Sequence, residues 1–171
     1  MTALQKLHRT RQEWAELEIV LRRLLRAPEP PLPPRERLSI ALELAEVQFF
    51  KGQVHFEQGE DRPAVDLFSR SLEVQYAELG LRSPLVHTTM SYLTRAYVRL
   101  GHFQKSEPYL LDLLRAMERD AEPNYPALAE ANLDMGLVRL EEGKGAQAEP
   151  YFLRALQLLQ HYVGPNQRLL K

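Results

Sequence analysis

Along most of this chain apolar residues recur three and four positions apart, which is the spacing of one helix face. Trp14, Leu17, Leu21, Leu24 and Leu25 follow it. Residues 2–26 read as two short helices. The first carries Leu4 and Leu7, and the second ends in Arg22, Arg23 and Arg26, cations that suit a helix C-terminus. Residues 27–34, APEPPLPP, break the pattern, because each proline removes a donor and pushes its predecessor toward extended geometry. This stretch reads as a stiff spacer. A ligand for proline-reading domains is the sharper alternative, but PxxP alone is a weak pattern. Residues 35–58 read as one long helix, in which Leu38, Ile40, Ala41, Leu44, Ala45, Val47 and Gln48 lead into Phe49 and Phe50. A helix this broadly apolar is covered on more than one side. Gly59 ends it. Asp61 is expected to cap the next helix, with Pro63 in the first turn, Ala64, Phe68 and Leu72 facing inward, and Gly80 as the stop. Further helices are expected over residues 83–100, 103–118, 126–142 and 146–162. No alternating run of strand length occurs, so the fold class is all-α.

The order of these helices is periodic. GHFQKSEPYLLDLL, from Gly101 to Leu114, returns as GKGAQAEPYFLRAL, from Gly143 to Leu156. Glu107-Pro108-Tyr109 becomes Glu149-Pro150-Tyr151, a step of 42 residues. The same step links Gly59, Gly101 and Gly143, and carries Pro123-Asn124 onto Pro165-Asn166. A fixed period in this range marks stacked repeats. The organisation expected is a single domain over residues 1–171. It comprises a partial repeat (1–26), the proline-rich linker (27–34), repeats at 35–82, 83–125 and 126–163, and a tail (164–171).

Composition narrows the function classes. A chain of 171 residues, 44% apolar and 26% charged, is long enough to bury a core and balanced as globular chains are. A net charge of −1 gives no field that draws it to nucleic acid or anionic lipid. The absence of cysteine removes disulfide, thiolate and cysteine–zinc chemistry, and is compatible with a cytoplasmic location. The first residues are too charged for a signal peptide, and no run of eighteen apolar residues occurs. Arginine outnumbers lysine, as in many GC-rich bacterial proteins.

Chemical motifs are missing as well. His8, His55, His87, His102 and His161 include no two at metal-binding helical spacing, so no metal site is expected. There is no P-loop, GxGxxG or GxSxG, so no cofactor and no catalytic activity are expected. Glu60-Asp61 and Glu141-Glu142 sit beside turn glycines and read as solvated caps rather than an acid–base pair. Arg9, Arg11, Arg22, Arg23 and Arg26 read as a solvated face rather than a phosphate track.

Several of these residues together resemble the tetratricopeptide repeat, in the longer form found in kinesin light chains and many bacterial regulators. The last repeat supplies Met135-Gly136, Gly143, Ala148, Phe152, Ala155 and Leu156. The middle one supplies Leu93, Tyr97, Gly101, Phe103, Leu110 and Leu114, and the first Gly52, Gly59, Ala64 and Phe68. Trp14, Leu17, Leu21 and Leu24 fit the second helix of a partial repeat, and Leu79-Gly80 with Pro84 looks like the kinesin-type linker. Ser71, Ser106, Gln48, Asn132 and Arg139 depart from the pattern, which implies looser packing around them.

The resemblance implies a right-handed superhelical solenoid of antiparallel helix pairs, with about three full repeats. It also implies a concave groove lined by the first helix of each pair. Carried over, the groove positions are Glu46, Phe49, Gln53 and Phe56, then Thr88, Ser91, Arg95 and Val98, then Glu130, Leu133, Leu137 and Leu140, with Tyr92 and Arg99 alongside. Phe49, Phe56, Leu133 and Leu137 serve either as core or as ligand contacts, whereas Arg95 and Arg99 have less structural reason to be there and can hold a carboxylate bidentately. Phe49 and Gln53 stand where the family's chaperone clamp has lysine and asparagine, so chaperone binding is not implied.

The function this points to is a non-catalytic module that binds a protein or peptide segment in its groove, without nucleic acid or membrane partners. Two alternatives remain open. One is a sensory or regulatory segment of a larger signalling or transcription-regulating protein, suggested by the linker-like tail and the abrupt start. The other is a scaffold that self-assembles into homo-oligomers by end-to-end or face packing.

Overall fold

The structure, a computed structural model, describes residues 11–26, 32–119 and 124–166. Seven helices and no strand occur among them: α1 (Arg11–Arg26), α2 (Pro34–Glu57), α3 (Asp61–Leu79), α4 (Pro84–Arg99), α5 (Phe103–Glu118), α6 (Tyr125–Glu141) and α7 (Gly145–Asn166). The expected first helix with Leu4 and Leu7, most of the proline-rich linker and the end of the tail lie outside the described residues. Pro34 is the first residue of α2 rather than part of the linker. Proline suits that position because the N–H it lacks would have no partner there. Gly164 to Asn166, expected to begin the tail, instead end α7. The chain divides into two compact units, Met1–Thr89 and Met90–Lys171, with the division inside α4.

The turns within pairs repeat in detail. Each has three residues, around Gly59, Gly101 and Gly143, at φ of 78°, 72° and 74°. The residue after each glycine donates its N–H back to the carbonyl five residues earlier: Glu60 to His55 (2.9 Å), His102 to Tyr97 (2.8 Å) and Lys144 to Arg139 (2.8 Å). This is the long bond of the Schellman motif, and it requires a left-handed residue at the glycine. A Cβ on Gly101 or Gly143 would meet nothing within 4 Å, so a side chain costs only backbone strain. Gly101→Val and Gly143→Val should each lower stability by about 1–3 kcal/mol in thermal or urea unfolding. An unchanged melting temperature for both would break the 42-residue register. Asp61 does not cap α3; it is its first residue, and Glu60 occupies the cap position, its side chain bonded to His55 rather than capping the helix.

In the first unit α2 is covered on both sides, as its broad apolarity predicts. On one side Trp14 and Leu21 of α1 meet Val47, with Leu17, Ile40, Leu44 and Phe50 around them. Trp14 stacks on Phe50 with centroids 5.4 Å apart. Leu24, expected on this inner face, is exposed. On the other side Phe68 of α3 is fully buried, with Phe49 and Phe56 at 5.8 and 6.4 Å. A Cβ on Gly52 would lie 2.7 Å from the Phe68 ring, so only glycine lets the two helices approach this closely. Ser71 Oγ donates to the Ala45 carbonyl (2.7 Å), and Thr89 Oγ1 donates to Gln75 Oε1 (2.7 Å). Both buried bonds satisfy groups that would otherwise be costly.

The second unit repeats the arrangement. A Cβ on Gly136 would fall on the ring of Phe152, as at Gly52 and Phe68. The middle repeat has Thr94 and Leu110 at these two positions, both fully buried, a larger residue in place of glycine and a smaller one in place of phenylalanine. Ala64, Ser106 and Ala148 occupy one equivalent buried position, and Ser71, Leu113 and Ala155 another. The departures from the pattern are accommodated rather than loose. Asn132 is buried and donates to the Leu128 carbonyl at 2.8 Å. Arg139 is bonded to Glu107 and to Glu142, the latter at 3.0 Å. Asn124 caps α6 by accepting from the Ala127 N–H at 3.2 Å.

Candidate functional site

The groove residues fall on two units. Phe49, Gln53 and Phe56 belong to the first, and Ser91, Tyr92, Arg95, Arg99, Leu133 and Leu137 to the second. Phe49 and Phe56 are half-buried and rest on Phe68, so they close the first unit's core as well as bordering its surface. Gln53 is half-buried. Ser91 and Tyr92 are half-buried, Arg99 is exposed, and the Ser91 carbonyl accepts from Thr94 Oγ1 at 2.9 Å.

Leu133 and Leu137 are not core. They are 39% and 43% exposed, and Leu140 is 50% exposed. Their spacing of four and then three places them in a line along α6, whose opposite face buries Leu128, Ala131, Met135 and Val138. Glu130 and Leu133 border a shallow cavity of about 390 Å³ that also touches Asn124, Pro126 and Leu159.

Arg95 has a structural role that sequence reading did not supply. Its Nε lies 3.1 and 3.3 Å from the two carboxylate oxygens of Asp134, and its terminal nitrogen bonds Glu130. The guanidinium thus joins α4 to α6 and already holds two carboxylates of its own chain. Burial alone would lower its pKa, but Asp134 and Glu130 outweigh it and hold it above the usual value. Asp134 was missed. The signal was Glu130 and Asp134 one helical turn apart on an apolar helix, roughly one repeat beyond Arg95.

Asp134 is buried, and that burial pushes its carboxyl up to about 6, with Arg95 opposing and Glu130 adding to the rise. The folded state therefore takes up a proton that the unfolded chain, near 3.8, does not. The stability tied to this group is complete below the unfolded value and is lost as pH rises through about 6. Asp134→Asn stays neutral and should escape that loss. In urea unfolding the variant should gain on wild type by ~3 kcal/mol between pH 3.5 and 7.5, a shift of about two pKa units. A pH-independent difference would show that Asp134 ionises normally.

No protein-family model and no curated protein matches the chain. Solved structures do. A kinesin-light-chain-type protein from Podosopora anserina, built of nearly identical TPR-like repeats, aligns over 88% of this chain and 69% of its own, with 17% identity and a TM-score of 0.56. A second crystal structure of those repeats gives 0.55 at the same identity and coverage. The fold is a TPR-like helical repeat. Identity this low shows the fold alone. BtubC of P. vanneervenii, at 15% identity over 76% of this chain and 72% of its own, has a TM-score of 0.42, too remote to build on. Within the TPR-like frame the exposed leucines lie on the first helix of the last pair. The Arg95 cluster ties the first helices of two successive pairs. No helix among the described residues is long and apolar enough to cross a membrane.

Proposed function

We propose that this chain is a non-catalytic interaction module whose second unit binds a protein or peptide segment along α6. The observation that carries the reading is the exposed line Leu133, Leu137 and Leu140 on a first helix, with the charged cluster of Arg95, Glu130 and Asp134 on the same unit. An exposed apolar line flanked by polar groups is the usual form of a docking surface. Arg95→Glu is a poor probe of it, because it would set a third carboxylate beside Asp134 and Glu130. Leu133→Glu/Leu137→Glu is cleaner, since both side chains are exposed and neither contributes to the buried face of α6. With folding verified by circular dichroism, the double variant should lose a protein that wild type captures from lysate of the source cells. Capture equal to wild type would remove α6 as the surface.

A second reading has its own observation. Leu114 and Met117 of α5, which packs against α6, are buried, yet their equivalents on α7, Leu156 and Leu159, are 52% and 38% exposed. This favours a further helix seated on α7, from a second copy of the chain or from a longer array. Light scattering across a concentration series should then show a mass that falls on dilution for wild type and is monomeric for Leu156→Glu. A monomer throughout would remove self-assembly.

A further inference from the structure

The inner side of α1 is committed to the first unit. Trp14 and Leu21 meet Val47, and Trp14 and Leu17 line a cavity of about 480 Å³ with residues of α2, α3 and α4. The outer side is apolar as well: Ile19 is 67% exposed, Val20 53% and Leu24 41%. Arg23 and Arg26 are exposed on the same side. At helical spacing Arg23 falls between Ile19 and Val20, Arg26 lies one turn beyond it, and Leu24 follows Val20 by one turn. Arg22 is turned away, its guanidinium donating to Glu18 at 2.7 and 2.9 Å. Neither Arg23 nor Arg26 is in an ion pair among the described residues. The acids of the outer side, Glu13 and Glu16, belong to the first half of the helix. The helix itself does not explain this pattern. Its dipole suits cations in the last turn, but exposed isoleucine and valine are poorer helix formers than the charged residues around them and gain nothing from water. Three aliphatics grouped on one exposed side form a patch rather than a scatter.

We infer that the C-terminal half of α1 is a docking surface for an acidic amphipathic segment of a partner protein, with leucine-type side chains and glutamate or aspartate a helical turn apart. Ile19, Val20 and Leu24 supply the apolar contact. Arg23 and Arg26 set the sign of the partner's charge, and each can hold a carboxylate bidentately. An anionic membrane fits less well. A helix lying in a bilayer interface buries its broad apolar face, and α1 turns that face into the unit. The inference rests on the reading of the chain as an interaction module, and it gives the first unit a surface of its own and the partner a chemistry.

The probes are three labelled helical peptides in an alanine and glutamine background. One carries leucine and glutamate a turn apart, one has lysine for each glutamate, and one has serine for each leucine. In fluorescence anisotropy the leucine–glutamate peptide should bind saturably, and the other two at least about tenfold more weakly. Arg23→Gln/Arg26→Gln should cut the glutamate-over-lysine preference to about twofold or less, and so should high salt on wild type, which needs no variant to fold. Ile19→Ser/Val20→Ser should weaken the leucine–glutamate peptide at least about tenfold, with folding verified by circular dichroism. Equal binding of the glutamate and lysine peptides overturns the inference, as does no binding of any peptide at millimolar concentration. Anionic vesicles that bind wild type but not Arg23→Gln/Arg26→Gln, with no peptide bound, would overturn it in favour of a lipid surface. The α6 surface is read separately. No peptide preference, with capture lost in Leu133→Glu/Leu137→Glu, would sink the α1 surface alone. The preference present, with that variant capturing as wild type does, would sink the α6 surface alone.

Discussion

Phe68→Ala lowers the stability of the first unit by about 3–5 kcal/mol, the usual cost of emptying a buried phenylalanine site. The ring is fully buried, with Phe49 and Phe56 around it and the bare backbone of Gly52 at its edge. Those neighbours sit on α2, which α1 holds from the far side, so the helices cannot simply close over the void. Urea unfolding followed by Trp14 emission reads this unit selectively, because Trp14 stacks on Phe50 of the same helix. Phe68→Leu should cost less, about 1–2 kcal/mol, since it keeps most of the volume. An unchanged midpoint for Phe68→Ala would mean that the ring does not fill the gap between α2 and α3.

The second large effect is at the equivalent contact of the last pair. Gly136→Ala should cost about 1–3 kcal/mol, because its Cβ would enter the Phe152 ring, 2.7 Å from Cδ1. Phe152→Leu should suppress that loss. The middle repeat already uses the combination, with Thr94 and Leu110 at these positions, and buries both. In a double-mutant cycle the pair should recover at least about 1 kcal/mol relative to the sum of the single changes. Strict additivity would mean that the glycine and the aromatic are not coupled, and that the equivalence of the three repeats is only nominal.

These contacts explain why so much of the fold was legible. Glycine at a left-handed turn and glycine under an aromatic ring are both steric requirements, and steric requirements leave residue types behind at fixed intervals. Gly59, Gly101 and Gly143 mark the turns wherever they occur. Gly52 with Phe68 and Gly136 with Phe152 mark the helix crossings. Helical spacing was a weaker guide, because it tells which residues share a face and not what covers that face. Leu24 and Leu156 have the spacing of core residues and stand in water, whereas Leu114, at the repeat position of Leu156, is buried against the next pair.

The candidate site was legible in part. The first-helix positions led to Leu133 and Leu137, whose exposure fits a surface role, and to Arg95. What Arg95 touches was hidden, because Asp134 lies 39 residues away on another helix and meets it only in the folded chain. Phe49 and Phe56 belong to core and surface together, a division that spacing cannot express. The cavity beside Trp14 was hidden for the same reason: α1, α2, α3 and α4 all contribute to it, and no single motif contains it.

The most direct test of an interaction surface on α6 is site-specific photo-crosslinking in lysate of the source cells. A photoreactive phenylalanine analogue would replace Leu137 in one protein and Leu156 in another. Both sites are exposed leucines, so both variants should fold, and each samples a different helix of the last pair. A discrete adduct with another protein from position 137, and none from 156, is the predicted result. An adduct from 156 alone would contradict it and move the interface to α7.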